Sequence, residues 1–321
     1  MTSLCKTKLC DLCPYQQICG GCPGCDRIYI HDHQCQKCLL TCVDKPGVLA
    51  AAHNEWDRLQ WPRPTQAHKG IPGLPEIIHT VGSISKAPVE WEAWLPTIYK
   101  NKRPDRSASA SRFVAVHGYS PDGYLADLWA HRADYWAYYR QFDLVFTPNF
   151  SIYDNAPRFE QLINLYRTTK CYAEMVNAGL PAILDVAWGQ SADIERWVEY
   201  IRAIHPPAIA MSLQGIGGVK QSKDWIMVTI GYASILKRIP ADIEVIFVGV
   251  ASKYRANTVR AITGRDDLHW MTTFAYMYSR YGRLWDGRKA SSELTRDEIF
   301  QLSTREMSLC PKDGIPQPTT A

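Results

Sequence analysis

Three apolar runs between Phe142 and Gly218 constrain this chain more than any other feature. They are FDLVFTPNFSIYD, PAILDVAWG and AIAMSLQGIGG; each closes in polar or glycine residues, and a helix-like segment separates each from the next. Runs of about four to six residues rich in Val, Ile, Leu and Phe read as strands buried on both faces, the mark of a parallel sheet. In parallel α/β folds the residues just beyond the strands' carboxyl ends line the functional site. Here those residues are Pro148, Asn149 and Asp154, then Asp185 and Trp188, then Gln214 with Gly215, Gly217 and Gly218.

The same alternation extends in both directions. IIHTVGSI predicts a first strand from Ile77 to about Ser83, RFVAVHGY a strand ending at His117 and Gly118, VIFVGVAS one ending at Gly249 and Ser252, and LHWMTTF a last one. Between them lie helical patterns over Ala126 to Gln141, Asn155 to Gly179, Ser191 to Ile204, Lys223 to Arg238 and Tyr254 to Ile262. The second of these carries Phe159, Leu162, Ile163 and Tyr166 on one face, and Ser191 is placed to cap the third. Seven strands alternating with helices predict an α/β fold, a TIM-like (β/α) barrel over residues 76–290, with room for an eighth strand. A doubly wound open sheet is the competitor, weakened because no GxGxxG follows the first strand. Residues 47–75, dense in Pro and Gly, read as a linker, and 291–321 as a C-terminal helix (Thr295 to Met307) with a mobile tail.

Cysteine usage sets off residues 1–46. Of 11 cysteines, nine fall in the series Cys5, Cys10, Cys13, Cys19, Cys22, Cys25, Cys35, Cys38 and Cys42, with His31 and His33 in its longest gap. MTSLCKTKLC lacks a signal peptide's apolar core, so a cytoplasmic protein is expected, and with it metal binding rather than disulfides. A two-residue spacer lets two thiolates of one turn reach the same metal. Zinc fits as a closed site of thiolates with or without a histidine. The consecutive Cys19, Cys22, Cys25 triplet leans slightly to an iron–sulfur cluster of the 4Fe–4S kind. No run approaches 18 apolar residues, so no membrane span is expected. A net charge of +4 permits a nucleic-acid partner without demanding one.

GxSxG, Walker A and HExxH are all absent, which leaves serine hydrolase, P-loop NTPase and zinc protease readings unsupported. What remains is a rim of amides, carboxylates and glycines. Asp185 at a strand end is either paired structurally or held for a ligand. Gln214 and Asn149 each offer a donor and an acceptor together, as reading a purine edge requires. Glycine N–H groups at Gly215, Gly217, Gly218 and Gly249 can approach a flat heterocycle closely. His117 is a candidate acid–base group, or a hydrogen-bonded core histidine.

In this order, LVFTPNFSIYD, LDVAW, SLQGIGG, LKRIPADIEVIFVGVAS and AYMYSRYGRLWDG resemble the motif series of the tRNA-guanine transglycosylase superfamily, over roughly residues 110 to 288. The resemblance implies a TIM barrel that exchanges guanine for a 7-deazaguanine through a covalent aspartyl intermediate. It makes Asp185 the base-reading aspartate, Gln214 the base-reading glutamine, and Arg280, Gly282 and Leu284 the late basic motif. The family's early catalytic aspartate stands here as Asn149, and its C-terminal zinc ligands have no counterpart beyond Cys310. Asp185, Asp154 and Asp267, in that order, are the candidate nucleophiles. The chain also resembles a phage and mobile-element family of unknown function, and the phage branch that inserts 7-deazaguanines into DNA reconciles the two.

The expectation is therefore a nucleobase-exchange enzyme acting on DNA, or on RNA, with a free 7-deazaguanine base as co-substrate. The target nucleotide is flipped into the barrel mouth. Asp185, Gln214, Trp188 and the glycines bind the base, and Arg280, Arg283, Arg288 and Lys289 contact phosphates. The alternative is a metal-cluster-containing nucleic-acid-binding or regulatory protein whose barrel is catalytically inactive. A barrel enzyme acting on a small metabolite is the third possibility.

Overall fold

The computed structural model describes residues 60–81, 91–94, 113–120, 122–152, 158–214, 216, 223–250, 253–285 and 287–307. Asp154, Gly215, Gly217, Gly218 and all nine clustered cysteines lie outside the described residues, and with them the expected metal module.

Eight short strands form one sheet: β1 (Ile77–Val81), β2 (Trp91–Trp94), β3 (Phe113–Gly118), β4 (Leu144–Pro148), β5 (Ala182–Val186), β6 (Ala208–Ser212), β7 (Glu244–Val248) and β8 (Leu268–Thr272). Each pairs parallel with its chain neighbour, and β1 pairs with β8, so the sheet curls until it closes. The result is an α/β fold compatible with a TIM-like barrel. The strand for which the sequence left room is β2. WEAW, four residues long and carrying Glu92, is too short for periodicity to separate it from a turn.

Eight helices occur among the described residues: α1 (Asp122–Ala130), α2 (Arg132–Tyr139), α3 (Arg158–Asn177), α4 (Ser191–Ile204), α5 (Lys223–Leu236), α6 (Lys253–Thr263), α7 (Phe274–Arg280) and α8 (Arg296–Glu306). The single helix expected over Ala126 to Gln141 is two, because His131 departs from helical geometry (φ −116°, ψ 30°) and starts α2. The cap of α4 also differs from expectation. Ser191 is its first helical residue, and the Asp193 carboxylate reaches back to accept the Gly189 and Gln190 N–H groups, each at 3.0 Å. None of the helices among the described residues is long and apolar enough to cross a membrane.

Alternation along the strands divides the core into two shells. Ile78, Ala115, Leu144, Phe146, Ile183, Ala210, Ile246 and Met271 fill the barrel's interior. Val114, Val116, Leu184, Met211, Phe247 and Trp270 face outward against Leu125, Leu128, Leu165, Trp197 and Ile235 of the helices. Fully burying each large apolar side chain contributes about 1.5–3 kcal/mol, which is why so short a set of strands holds.

The stretch expected to be a linker is packed from residue 60 onward. Trp61 is buried with its ring centroid 4.5 Å from that of Trp197, and the Arg196 guanidinium lies over its ring at 5.1 Å. Tyr200 donates to the Pro62 carbonyl at 2.6 Å, and Asn177 Oδ1 accepts from the N–H groups of Thr65 and Gln66. Ile71 and Leu74 then pack against the interior shell at the strands' amino-terminal end. Pro and Gly here mark a chain that turns sharply while remaining bound to the barrel.

Candidate active site

The registers place the mouth's polar groups. Followed round the barrel, the pairing lowers the chain by about one residue per strand, as an eight-stranded barrel requires. Inward-facing residues at equal height then come from alternate strands. The lower layer is Ile78, Ala115, Ile183 and Ile246, all apolar and fully buried. Phe146, Ala210 and Met271 of even-numbered strands lie above it. The uppermost layer is Thr80, His117, Asp185 and Val248, from β1, β3, β5 and β7. The apolar layers formed by Ile78, Ala115, Ile183 and Ile246 and by Phe146, Ala210 and Met271 give way to a more polar one at the strands' carboxyl ends.

Asp185 is the centre of that layer, 1% exposed. Its N–H donates to Thr147 Oγ1 of β4 at 2.7 Å, fixing the backbone. One carboxyl oxygen accepts from the Tyr119 hydroxyl at 2.6 Å and the other from Asn149 Nδ2 at 2.7 Å. Burial pushes the carboxyl up to about 7, against the pull of these two hydrogen bonds toward the ionised form. The Tyr119 hydroxyl is itself held well above the ordinary phenol range, by burial first and by the neighbouring carboxylate second, so it remains a donor. Tyr232 of α5 feels the same carboxylate, while its hydroxyl donates to the Ser212 carbonyl at 3.0 Å.

His117 is 4% exposed, and burial lowers its imidazole to about 3, so it is neutral at physiological pH. Its Nδ1 accepts the Tyr119 N–H at 3.3 Å, which leaves the proton on Nε2. That Nε2 is buried and has no hydrogen-bond partner among the described residues. The same is true of Thr80 Oγ1, in a residue 2% exposed.

Gln214 and Gly249 meet, as a shared rim demands. Gly249 has φ +84°, and a Cβ there would stand 2.5 Å from Gln214 Cγ, so only glycine seats the Gln214 side chain. Trp188, just past β5, packs its ring against Gly231 of α5, where a Cβ would come within 2.2 Å of it. The chain thus brings together His117, Asn149 and Asp185 in one hydrogen-bonded group, with Gln214 against Gly249 on the neighbouring β6 and β7 ends.

Asp267 is not part of it. It precedes β8 and so stands at the amino-terminal end, exposed and bound to Arg265 at 2.5 Å, which holds its carboxyl below the usual range. Arg280 ends α7. Arg283 and Lys289 pair in an antiparallel bridge that brings Arg288 into the same small hairpin, and all four basic side chains are exposed. Trp285 N–H to Ser303 Oγ ties the hairpin to α8. Among the described residues no cluster of His, Cys, Asp or Glu has a metal-binding arrangement. An open groove of about 630 Å³ between α2 and α3, lined by Arg132, Asp134, Trp136 and Glu174, includes none of the mouth's residues.

Sequence reasoning missed Thr80, Tyr119 as a carboxylate donor, and Tyr232. Only Tyr119 had a local signal: it stands two residues past His117, on the same inward face.

A family model described as "Domain of unknown function (DUF4417)" matches residues 95–263, which span β3 to β7 and α6. No curated protein matches the chain.

Proposed function

Since the chain belongs to the DUF4417 family, whose description assigns no function, we propose from the barrel's own chemistry that it is a nucleobase-exchange enzyme. It inserts a 7-deazaguanine base into DNA by transglycosylation. One observation carries this reading: a buried carboxylate at a strand's carboxyl end, each oxygen oriented by a separate donor, Tyr119 or Asn149. That arrangement suits a nucleophile, because both donors favour the ionised form and fix its direction.

In the proposed step Asp185 attacks C1′ of a flipped nucleotide. The C1′–N bond breaks, and its electron pair leaves on the departing base, which takes up a proton. The incoming base then attacks C1′ through its ring nitrogen, expels the carboxylate and gives up one proton. The exchange consumes no net proton and needs no oxidant or reductant. Gln214 and the Gly249 region contact the base, and Arg280, Arg283, Arg288 and Lys289 contact phosphates. The nine N-terminal cysteines are proposed to hold an iron–sulfur cluster or zinc that clamps the nucleic acid or fixes the barrel's entrance.

The test is incubation of the full chain with duplex DNA and a 7-deazaguanine base, then digestion and mass analysis of the nucleosides. Incorporation that disappears in Asp185→Asn is the expected result. DNA binding without incorporation would instead favour the second reading, a nucleic-acid-binding or regulatory protein with an inactive barrel. One fact supports that reading: both Asp185 oxygens are already occupied, one of them by an asparagine where the resembled enzymes carry an aspartate.

A further inference from the structure

Two polar groups of the uppermost layer are left over by this chemistry. His117 Nε2 and Thr80 Oγ1 are buried, face the interior from β3 and β1, and lack partners among the described residues. A buried polar atom without a hydrogen bond is costly, and native proteins keep such atoms where a ligand or water completes them. Here two occur at one height in one barrel, in the layer that also holds Asp185. Every other interior-facing group named below them is apolar.

We propose that Thr80 and His117 form an oxygen-binding pair that selects nucleobases carrying a ring carbonyl. The tautomer decides the polarity. With Nδ1 accepting the Tyr119 N–H, Nε2 can only donate, so it recognises an acceptor and rejects an exocyclic amino group. The Thr80 hydroxyl donates or accepts, and alone would discriminate little. The imidazole stays neutral because burial disfavours its cation. The matching ligand is therefore a neutral carbonyl, whereas a phosphate or carboxylate would be poorly served. A site that presents a fixed donor leaves it unpaired against the wrong ligand, and this penalty creates selectivity. Tyr119, whose N–H meets His117 Nδ1, donates its hydroxyl to Asp185 on β5, and Tyr232 on α5 feels that same carboxylate.

This inference deepens the proposed base exchange and rests on it for the identity of the ligand as a nucleobase. The test is calorimetric binding of free hypoxanthine and adenine to the full chain. Wild type is expected to prefer hypoxanthine by roughly tenfold. His117→Leu should abolish the preference, His117→Gln, which retains an amide N–H, should keep most of it, and Thr80→Val should lower it only a few-fold. A melting temperature for each variant separates lost selectivity from lost fold. A preference unchanged in a folded His117→Leu, or absent in wild type, overturns the proposal. Incorporation of 7-deazaguanine into DNA together with an unchanged preference sinks this inference alone. Preference lost in His117→Leu, with no incorporation by wild type, sinks the exchange reaction alone.

Discussion

The two ends of the barrel treat polar groups in opposite ways. At the amino-terminal end they are paired off. His68 Nε2 meets the Ile204 carbonyl at 2.7 Å, His269 Nδ1 the Pro75 carbonyl at 2.7 Å, and Asn177 takes the backbone of Thr65 and Gln66. Ile71 and Leu74 exclude water beneath. At the carboxyl-terminal end a carboxylate is buried, and Thr80 Oγ1, His117 Nε2, Ser120 Oγ and Trp188 Nε1 have no hydrogen-bond partner among the described residues. The first end is arranged for stability and the second retains unmet bonding capacity, the division expected when a parallel barrel carries chemistry. Substitutions should therefore separate the ends: stability should respond at one, pH-dependent behaviour at the other.

The largest effect is expected at Asp185. Asp185→Asn should lower base exchange by at least about 10³-fold in a nucleoside mass assay. Next in size, Trp197→Ala removes the wall against which Trp61 packs and should cost about 3–5 kcal/mol in denaturant unfolding.

A pH effect on stability comes third. Asp185 has a folded value near 7 against 3.8 for a free carboxyl, so it binds its proton more tightly in the native state. Its ionisation subtracts stability as pH rises from about 4 through about 7, up to roughly 4 kcal/mol. Asp185→Asn should thus gain thermal stability relative to wild type at pH 8 but not at pH 4. His79 and His117 run the other way. Burial lowers both, to about 4 and about 3, so protonation of the unfolded chain erodes stability as pH falls below about 6.5. Smaller again, Asn149→Ala removes a donor that favours the carboxylate. The rising limb of the pH–rate profile near 7 should move to higher pH, a shift that a purely structural asparagine would not produce. Smallest, Asn177→Ala should cost about 1 kcal/mol and leave that profile unmoved.

What could be read from the sequence follows the same division. Long apolar runs ending in polar residues gave away most strands, and so Asp185, Gln214 and Gly249 were placed on one rim. Asp267 could have been ruled out by direction alone, since a residue preceding a parallel strand lies at the opposite end from one following it. Thr80 was illegible for a different reason. Its inward position depends on the barrel's register, a property of all the strands together, and nothing within IIHTVGSI carries it. Asn149 is legible as a base-reading amide and as the residue in place of an aspartate, but not as a partner of Asp185, since that bond joins residues 36 apart. Residues 61–75 misled because Trp61, Ile71 and Leu74 pack at irregular intervals, with neither helical nor strand period.

Position 249 is restricted twice over, by its left-handed backbone and by the Gln214 methylene where a Cβ would sit. The two restrictions are independent, so relieving one leaves the other in force. A library randomised at 249 and selected for a correctly seated Gln214 should return glycine alone, and compensating changes at 214 should not widen the choice. Glycine at 249 is in this way fixed whatever stands at 214, while Gln214 keeps its seat only beside that glycine.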